Sequence, residues 1–255
     1  MRRVLSGLAV LPLAITVPLV GVTASVAHAA TCTITGGPGD DTLDGTAGAD
    51  VICGFGGNDI IHGFKGNDIL IGGPGDDQLF GGSGNDVLRG EDGFDFLQGD
   101  DGKDREYGGP GGDTFNAYIG STAGVVGDGA DWMSGGGDSD TVRYSIRTTG
   151  VKVTLDGVAN DGAPGEGDAA GVLVNGANDI ENIEGGRGSD TLIGTDGPNF
   201  LVSRGGADTI IGRGGDDTID TLDSSGDDTI KAGNGNDYCA IDAADDDTSC
   251  ETVYP

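Results

Sequence analysis

The sequence predicts an all-β fold, a solenoid of short strands and tight turns. Three observations carry this. Residues 36–116 divide into nine consecutive nonapeptides with no insertion or deletion, and a fixed period held this long marks a repeat architecture. The eighth place of each unit is apolar (Leu43, Ile52, Ile61, Leu70, Leu79, Leu88, Leu97, Phe115), with Glu106 as the exception. Glycine is abundant (53 of 255 residues) and aromatics make up only 5%, so a thick globular core is unavailable while a thin solenoid core is not.

Each unit reads as one turn plus one strand. The first place is Gly from Gly36 to Gly108, the fourth is Gly from Gly39 to Gly111, and the sixth is Asp from Asp41 to Asp113. Glycines at the first and fourth places are expected to supply positive φ for a sharp turn. The last three residues extend, and strand alternation turns only the eighth inward. At Glu106 this would bury an unpaired carboxylate, so either the strand shifts and Tyr107 turns inward or the eighth repeat frays. One such strand cannot bury its face alone, so the units must stack. Their turns then offer carboxylate and carbonyl oxygens only. That donor set suits Ca²⁺ better than Zn²⁺ or Cu²⁺, and Mg²⁺ fits less well because it demands a tight octahedron.

This pattern resembles the RTX, or haemolysin-type, calcium-binding repeat, G-G-x-G-x-D-x-U-x with U a large apolar residue. The resemblance implies a parallel β-roll in which two units make one coil, repeat n lies beside repeat n+2, and several Ca²⁺ ions sit between turns. Carried over residue by residue, it assigns metal-binding roles to Asp41, Asp50, Asp59, Asp68, Asp77, Asp86, Asp95, Asp104 and Asp113. Carboxylates on neighbouring coils, about 4.8 Å apart, repel by roughly 3–4 kcal/mol at an effective dielectric of about 20. Metal binding and folding are therefore expected to be one event.

Outside the regular block the reading runs from the start of the chain. Residues 1–29 read as a signal peptide: Arg2 and Arg3, an apolar run from Val4 to Val26, and Ala27-His28-Ala29 as a cleavage site. The run is long enough for a membrane anchor, but Pro12, Pro18 and the Ala29 site argue against one. Residues 30–116 comprise an N-terminal cap and the nine repeats. Residues 117–184 hold two degenerate units, with Asp131 and Asp140 at the sixth place and Met133 and Val142 at the eighth, then a pair of strands around Thr149-Gly150 and an acidic loop. This part resembles an element that interrupts RTX arrays, and it is expected to form an enlarged, irregular central coil. In the loop, Asp156, Asp161, Glu166 and Asp168 read as solvated rather than metal-binding.

Residues 185–240 form a second block with Asp190, Asp208, Asp217, Asp228 and Asp237 as further ligands; Asn199 replaces one Asp, and Thr221 with Leu222 adds two residues. Residues 241–255 read as a cap that has lost the repeat. The four cysteines suggest Cys32–Cys53 and Cys239–Cys250 disulfides at the two ends of the array, since secretion permits them.

The formal net charge is −30, and removal of the first 29 residues takes away two basic residues more. Nucleic acid is excluded as a partner, because phosphate binding needs a basic footprint. No membrane insertion is expected once the signal is removed. Phe55 and Phe64 fall at the variable second place and are expected to cover turns. There is no H-E-x-x-H, and His62 would be the single histidine of the processed chain, a surface residue by its place in the repeat. Seventh places such as Thr42, Val51, Ile60 and Gln78 form no regular Thr row for an adhesive or ice-binding face. The reading is a secreted, extracellular calcium-binding module without catalytic residues, whose protein or polysaccharide partner the sequence does not name. The second reading is a secreted hydrolase with a carboxylate-based site in residues 127–184.

Overall fold

Three-residue apolar-centred segments between Gly-rich turns are too short to be stable as isolated strands. They become stable by pairing in parallel with the equivalent segment one coil away. The computed structural model describes residues 31–117, 130–158, 160–163, 168–171, 179–223, 227–247 and 249–254, and these contain strands and turns only. A long sheet of eleven parallel strands runs from Thr42–Asp44 to Thr252–Tyr254. Two shorter sheets back it in succession, a seven-stranded one from Ile34–Thr35 to Ala169–Ala170 and a five-stranded one from Lys152–Thr154 to Asp246–Asp247.

Register follows the two-unit coil. Ile52 pairs with Leu70 and Leu70 with Leu88, while Leu43 pairs with Ile61 and Ile61 with Leu79. The eighth-place residues from Ile52 through Ile230 and Cys239 form one continuous thin core, nearly all at 0–1% exposure. The predicted disulfides join Cys32 to Cys53 and Cys239 to Cys250, with Cα–Cα separations of 6.0 and 6.1 Å.

The central coil is enlarged as expected, but its parts differ from the sequence reading. Thr141–Arg143 and Lys152–Thr154 do not pair as a hairpin. The first belongs to the long sheet and the second opens the five-stranded sheet, pairing with Thr191–Ile193. The expected alternation of Val142, Tyr144 and Ile146 holds for Val142 and Tyr144, which are fully buried, and ends at Ile146, which is exposed while Arg147 is buried. Arg147 Nε donates to the Ala117 carbonyl (3.1 Å) and its guanidinium lies 5.2 Å from the Tyr144 ring centre. The acidic loop is not solvated at its ends: Asp161 and Asp168 are buried and joined by an antiparallel bridge. Glu166, residues 118–129 and residues 1–30 lie outside the described residues.

The tail pairs with the ends of two sheets. Asp246–Asp247 adds to Thr229–Ile230 and Thr252–Tyr254 adds to Tyr238–Ala240, so a further coil is built from a sequence without the glycine pattern.

Positive φ falls at most fourth places, as expected, though not at Gly39, Gly48, Gly188 or Gly197, and it does not fall at the first. The other left-handed place is the second, where Phe55, Phe64, Glu91, Asp100, Arg204 and Arg213 adopt it without being glycine.

Glu106 neither shifts its strand nor frays its repeat. It stays in register between Leu88 and Met133 at 2% exposure, and Tyr107 remains on the outer face against Trp132 and Arg89. Desolvation raises its pKa well above 4.5, and the nearby Asp131, Asp104 and Asp168 carboxylates add to the rise. A buried polar group replaced by an apolar one of similar size should stabilise the core. Glu106→Leu is expected to raise stability by about 1–3 kcal/mol, seen as a higher Tm in excess calcium; an unchanged or lower Tm would count against this account.

Candidate cation-binding ladders

The sixth-place side chains stand where each turn enters its strand, and a hydrogen-bond pattern links them between coils. The backbone N–H of each sixth residue donates to Oδ1 of the sixth-place Asp one coil further on. Along the long sheet this runs Asp41, Asp59, Asp77, Asp95, Asp113 and Asp140, at 2.7–2.9 Å per step. Along the seven-stranded sheet it runs Asp50, Asp68, Asp86, Asp104 and Asp131, at 2.7–2.9 Å. Along the five-stranded sheet it runs Asp190, Asp208 and Asp228. Asn199, Asp217 and Asp237 continue the long ladder.

Four rungs lie outside the sequence assignments. Asp140 N–H donates to Glu181 Oε2 (3.0 Å), Asp131 N–H to Asp168 Oδ1 (3.2 Å), Asp228 N–H to Asp245 Oδ1 (3.1 Å) and Asp237 N–H to Glu251 Oε2 (2.7 Å). Each precedes a strand but lacks the glycines of a full motif. The surviving signal is an acid two residues before an apolar residue in register with the core row: Glu181 before Ile183, and Glu251 before Val253, which pairs with Cys239.

The second carboxylate oxygen distinguishes two kinds of turn. In Asp59, Asp68, Asp77, Asp86, Asp95, Asp113, Asp140, Asp208, Asp217 and Asp237, Oδ2 is buried with no hydrogen-bond partner. In Asp41, Asp50 and Asp190 it accepts an N–H from its own turn: Gly37 at 2.6 Å, Thr46 at 2.7 Å and Gly186 at 2.6 Å. These three are the first carboxylates of their ladders. Asn199 behaves like them, with Oδ1 accepting from Thr195 N–H and Nδ2 donating to the Glu181 carbonyl. A neutral amide satisfies itself where an aspartate would leave a charge.

First-place glycines give the unpartnered oxygen its room. A Cβ placed on Gly81 would lie 2.6 Å from Asp86 Oδ2 and 2.7 Å from the Gly99 carbonyl oxygen of the next coil; on Gly63 it would lie 2.6 Å from Asp68 Oδ2 and 2.5 Å from the Gly81 carbonyl oxygen. Carboxylate and carbonyl oxygens from adjacent coils thus converge on one small space. The donors are all oxygen, buried and short of positive partners, which fits a hard divalent cation.

Burial sets the protonation of this array. Asp95 and Asp140 are raised from 3.8 to about 8, Asp113 and Asp208 to about 7, and Asp77, Asp86, Asp217 and Asp228 to about 6. Desolvation is the main cause in each, opposed by the ladder N–H bond and reinforced by neighbouring carboxylates.

These features define a cation-binding parallel β-roll. The RTX calcium-binding nonapeptide repeat model matches residues 33–61, 54–88, 80–115, 125–144, 175–201, 184–219 and 222–247, more than half of the chain. The chain belongs to this family and is a calcium-binding β-roll module. No curated protein gave a significant match.

Gly81→Ala is expected to cost about 1–3 kcal/mol and to lower calcium uptake at the Asp86 turn. Calcium titration with thermal melts checks both, and a fully tolerated substitution would refute the packing role given to the first place. The pH response without metal follows from the raised carboxyls. A folded-state pKa above the unfolded 3.8 means the native chain holds the extra protons. That stability is complete below about pH 4 and is lost as pH rises through about 6–8. In EGTA the Tm is expected to fall between pH 4 and 8; a rise over that window would overturn the assignment.

Proposed function

We propose that this chain is a secreted structural or binding module that folds on taking up several Ca²⁺ ions outside the cell. The observation carrying the reading is the row of buried Oδ2 atoms without partners, from Asp59 to Asp237. Calcium, when bound, supplies the positive charge these carboxylates lack. The chain's own residues do the rest: Oδ1 fixes each carboxylate through the neighbouring N–H, and the first-place glycine keeps its space open.

The ligand set begins one step inside each ladder. Asp59, Asp68, Asp77, Asp86, Asp95, Asp104, Asp113, Asp131, Asp140, Asp208, Asp217, Asp228 and Asp237 are the binding carboxylates of this reading. Asp41, Asp50 and Asp190, with both oxygens oriented by backbone N–H groups or at a ladder end, cap the stacks. Extracellular modules of this type bind with Kd on the order of 10⁻⁴–10⁻³ M. Such affinity leaves the chain metal-free in a low-calcium compartment and loaded outside. Residues 1–29 serve as the export signal, and the two disulfides suit an oxidising exterior. The domain limits are those of the repeat blocks: a regular array to residue 116, the central coil to 184, a second array to 240 and a closing coil.

Catalysis finds little support in the central coil. Asp131, Asp140 and Asp168 each accept a backbone N–H from another coil, and Asp161 accepts the N–H groups of Thr154 and Ala170 within its own loop. His62 stacks between Phe64 and Phe80 on the outer surface and pairs with Asp44.

Circular dichroism of the processed chain during calcium addition tests the reading. A disordered spectrum in EGTA at neutral pH that converts to a β spectrum at millimolar calcium is expected. A full β signature in EGTA at pH 7.5 would refute coupled folding, and absence of calcium uptake by calorimetry would refute the function.

A further inference from the structure

The regular ladder brings sixth-place carboxylates together two at a time. One place departs from this. Carboxylate oxygens of Asp208, Asp223 and Asp228 all lie within 4.8 Å of one another, the one such trio among the described residues. Asp208 and Asp228 are successive rungs, and their N–H to Oδ1 bond is 2.8 Å. Asp223 is not a rung. It reaches the pair because the chain carries two extra residues here: the ladder steps from Asp208 to Asp228 and from Asp217 to Asp237 span 20 residues, where the step from Asp190 to Asp208 spans 18.

The local sequence explains how the extra length is absorbed. Thr221 takes the place usually held by the first glycine. It is fully buried, its N–H donates to the Ala240 carbonyl (2.9 Å), and its hydroxyl donates to Asp245 Oδ2 (2.9 Å). Leu222 then turns outward and Asp223 follows, its N–H donating to Asp242 Oδ2 (3.2 Å). The surplus residues are thus held in the turn, and they bring a third acid over the Asp208–Asp228 step.

An independent observation points to a ligand there. Asp208 is 2% exposed and its Oδ2 has no hydrogen-bond partner. Ser203, standing where a first-place glycine would, is fully buried and brings its hydroxyl beside the Asp208 carboxylate, where it opposes part of the rise that burial imposes. The three carboxylates form a donor set with more negative charge than any two-acid step. Affinity for a hard cation rises with the number of charged ligands.

We infer that the two-residue insertion between Thr221 and Asp228 builds a three-carboxylate cation site from Asp208, Asp223 and Asp228, which fills with Ca²⁺ before the regular rungs do. This rests on the calcium reading above. Arg187 and Arg204 line an adjoining cavity with Asp223, so the competing assignment is that Asp223 serves an ion pair at that cavity.

The test is a chelator-competition titration of the full processed chain with Ca²⁺, alongside amide NMR at substoichiometric calcium. The expected result is one ion bound roughly tenfold tighter than the others. Asp223→Asn should lose that phase and keep the later ones. Asp196→Asn, which removes an exposed acid from a neighbouring turn, should retain it. The first equivalent should move the amides of Asp208, Asp223 and Asp228 ahead of those from Asp59 to Asp113. An Asp223→Asn curve that superposes on the wild type overturns the proposal while leaving the calcium reading intact. So does an equal loss in Asp196→Asn. If Asp223→Asn does not fold, the wild-type NMR order decides, and earlier shifts in the regular block overturn the proposal. A wild-type chain that takes up no calcium overturns both readings.

Discussion

The carboxylate that accepts a backbone N–H from the preceding coil is the constraint on which this structure depends. That bond uses one oxygen, orients the side chain along the stack and fixes the spacing of the turns. In most rungs the same geometry buries the second oxygen where no group among the described residues donates to it. Structure and binding are therefore two halves of one side chain. Replacing the acid with an amide separates them, as Asn199 does: the ladder bond from its N–H to Asp217 is kept, while its own side chain closes on local partners.

The turn residues are chosen by space as much as by torsion. The fourth glycine is needed for its left-handed backbone, whereas the first is needed because any side chain would occupy the oxygen-lined space beside the aspartate. The second place tolerates Phe, Glu, Asp and Arg in a left-handed conformation that costs roughly 1–2 kcal/mol per residue. Its N–H is then directed to the next coil: Gly73 donates to the Gly90 carbonyl and Glu91 to the Gly108 carbonyl, at 3.0 and 2.9 Å. In the self-capped turns of Asp41, Asp50 and Asp190 that N–H stays at home with the carboxylate. One peptide orientation thus separates a turn that closes a stack from a turn that continues it.

Most of the architecture was legible because the repeat writes both of its periods into the chain. Gly and Asp mark the turn, the eighth residue marks the core, and an unbroken register from Gly36 to Asn116 leaves the stacking partner of each strand unambiguous once two units make a coil. What was not legible obeys the same geometry with other residues. Glu181, Asp168, Asp245 and Glu251 hold rungs without the full pair of first- and fourth-place glycines, because the ladder asks only for a carboxylate at the right height. Tyr144 and Arg147 fill the wider central coil, where a buried cation finds a carbonyl and an aromatic face that no local pattern announces. Glu106 misled for the opposite reason. Its sequence argues for disruption, yet the regular backbone on either side holds it in line, and burial raises its pKa well above the usual carboxylate range.

The spacing of paired strands carries a consequence of its own. In the regular block the step is constant, as from Gln78 to Phe96 and from Phe96 to Thr114. Beyond it, Thr114 pairs with Thr141, Thr141 with Asn182 and Tyr238 with Thr252, separations of very different length that leave the long sheet unbroken. The long sheet therefore keeps its register whatever the length of chain between its strands, and between Thr141 and Asn182 that length also supplies core residues and strands to the two shorter sheets. Such a scaffold admits added sequence without loss of its axis.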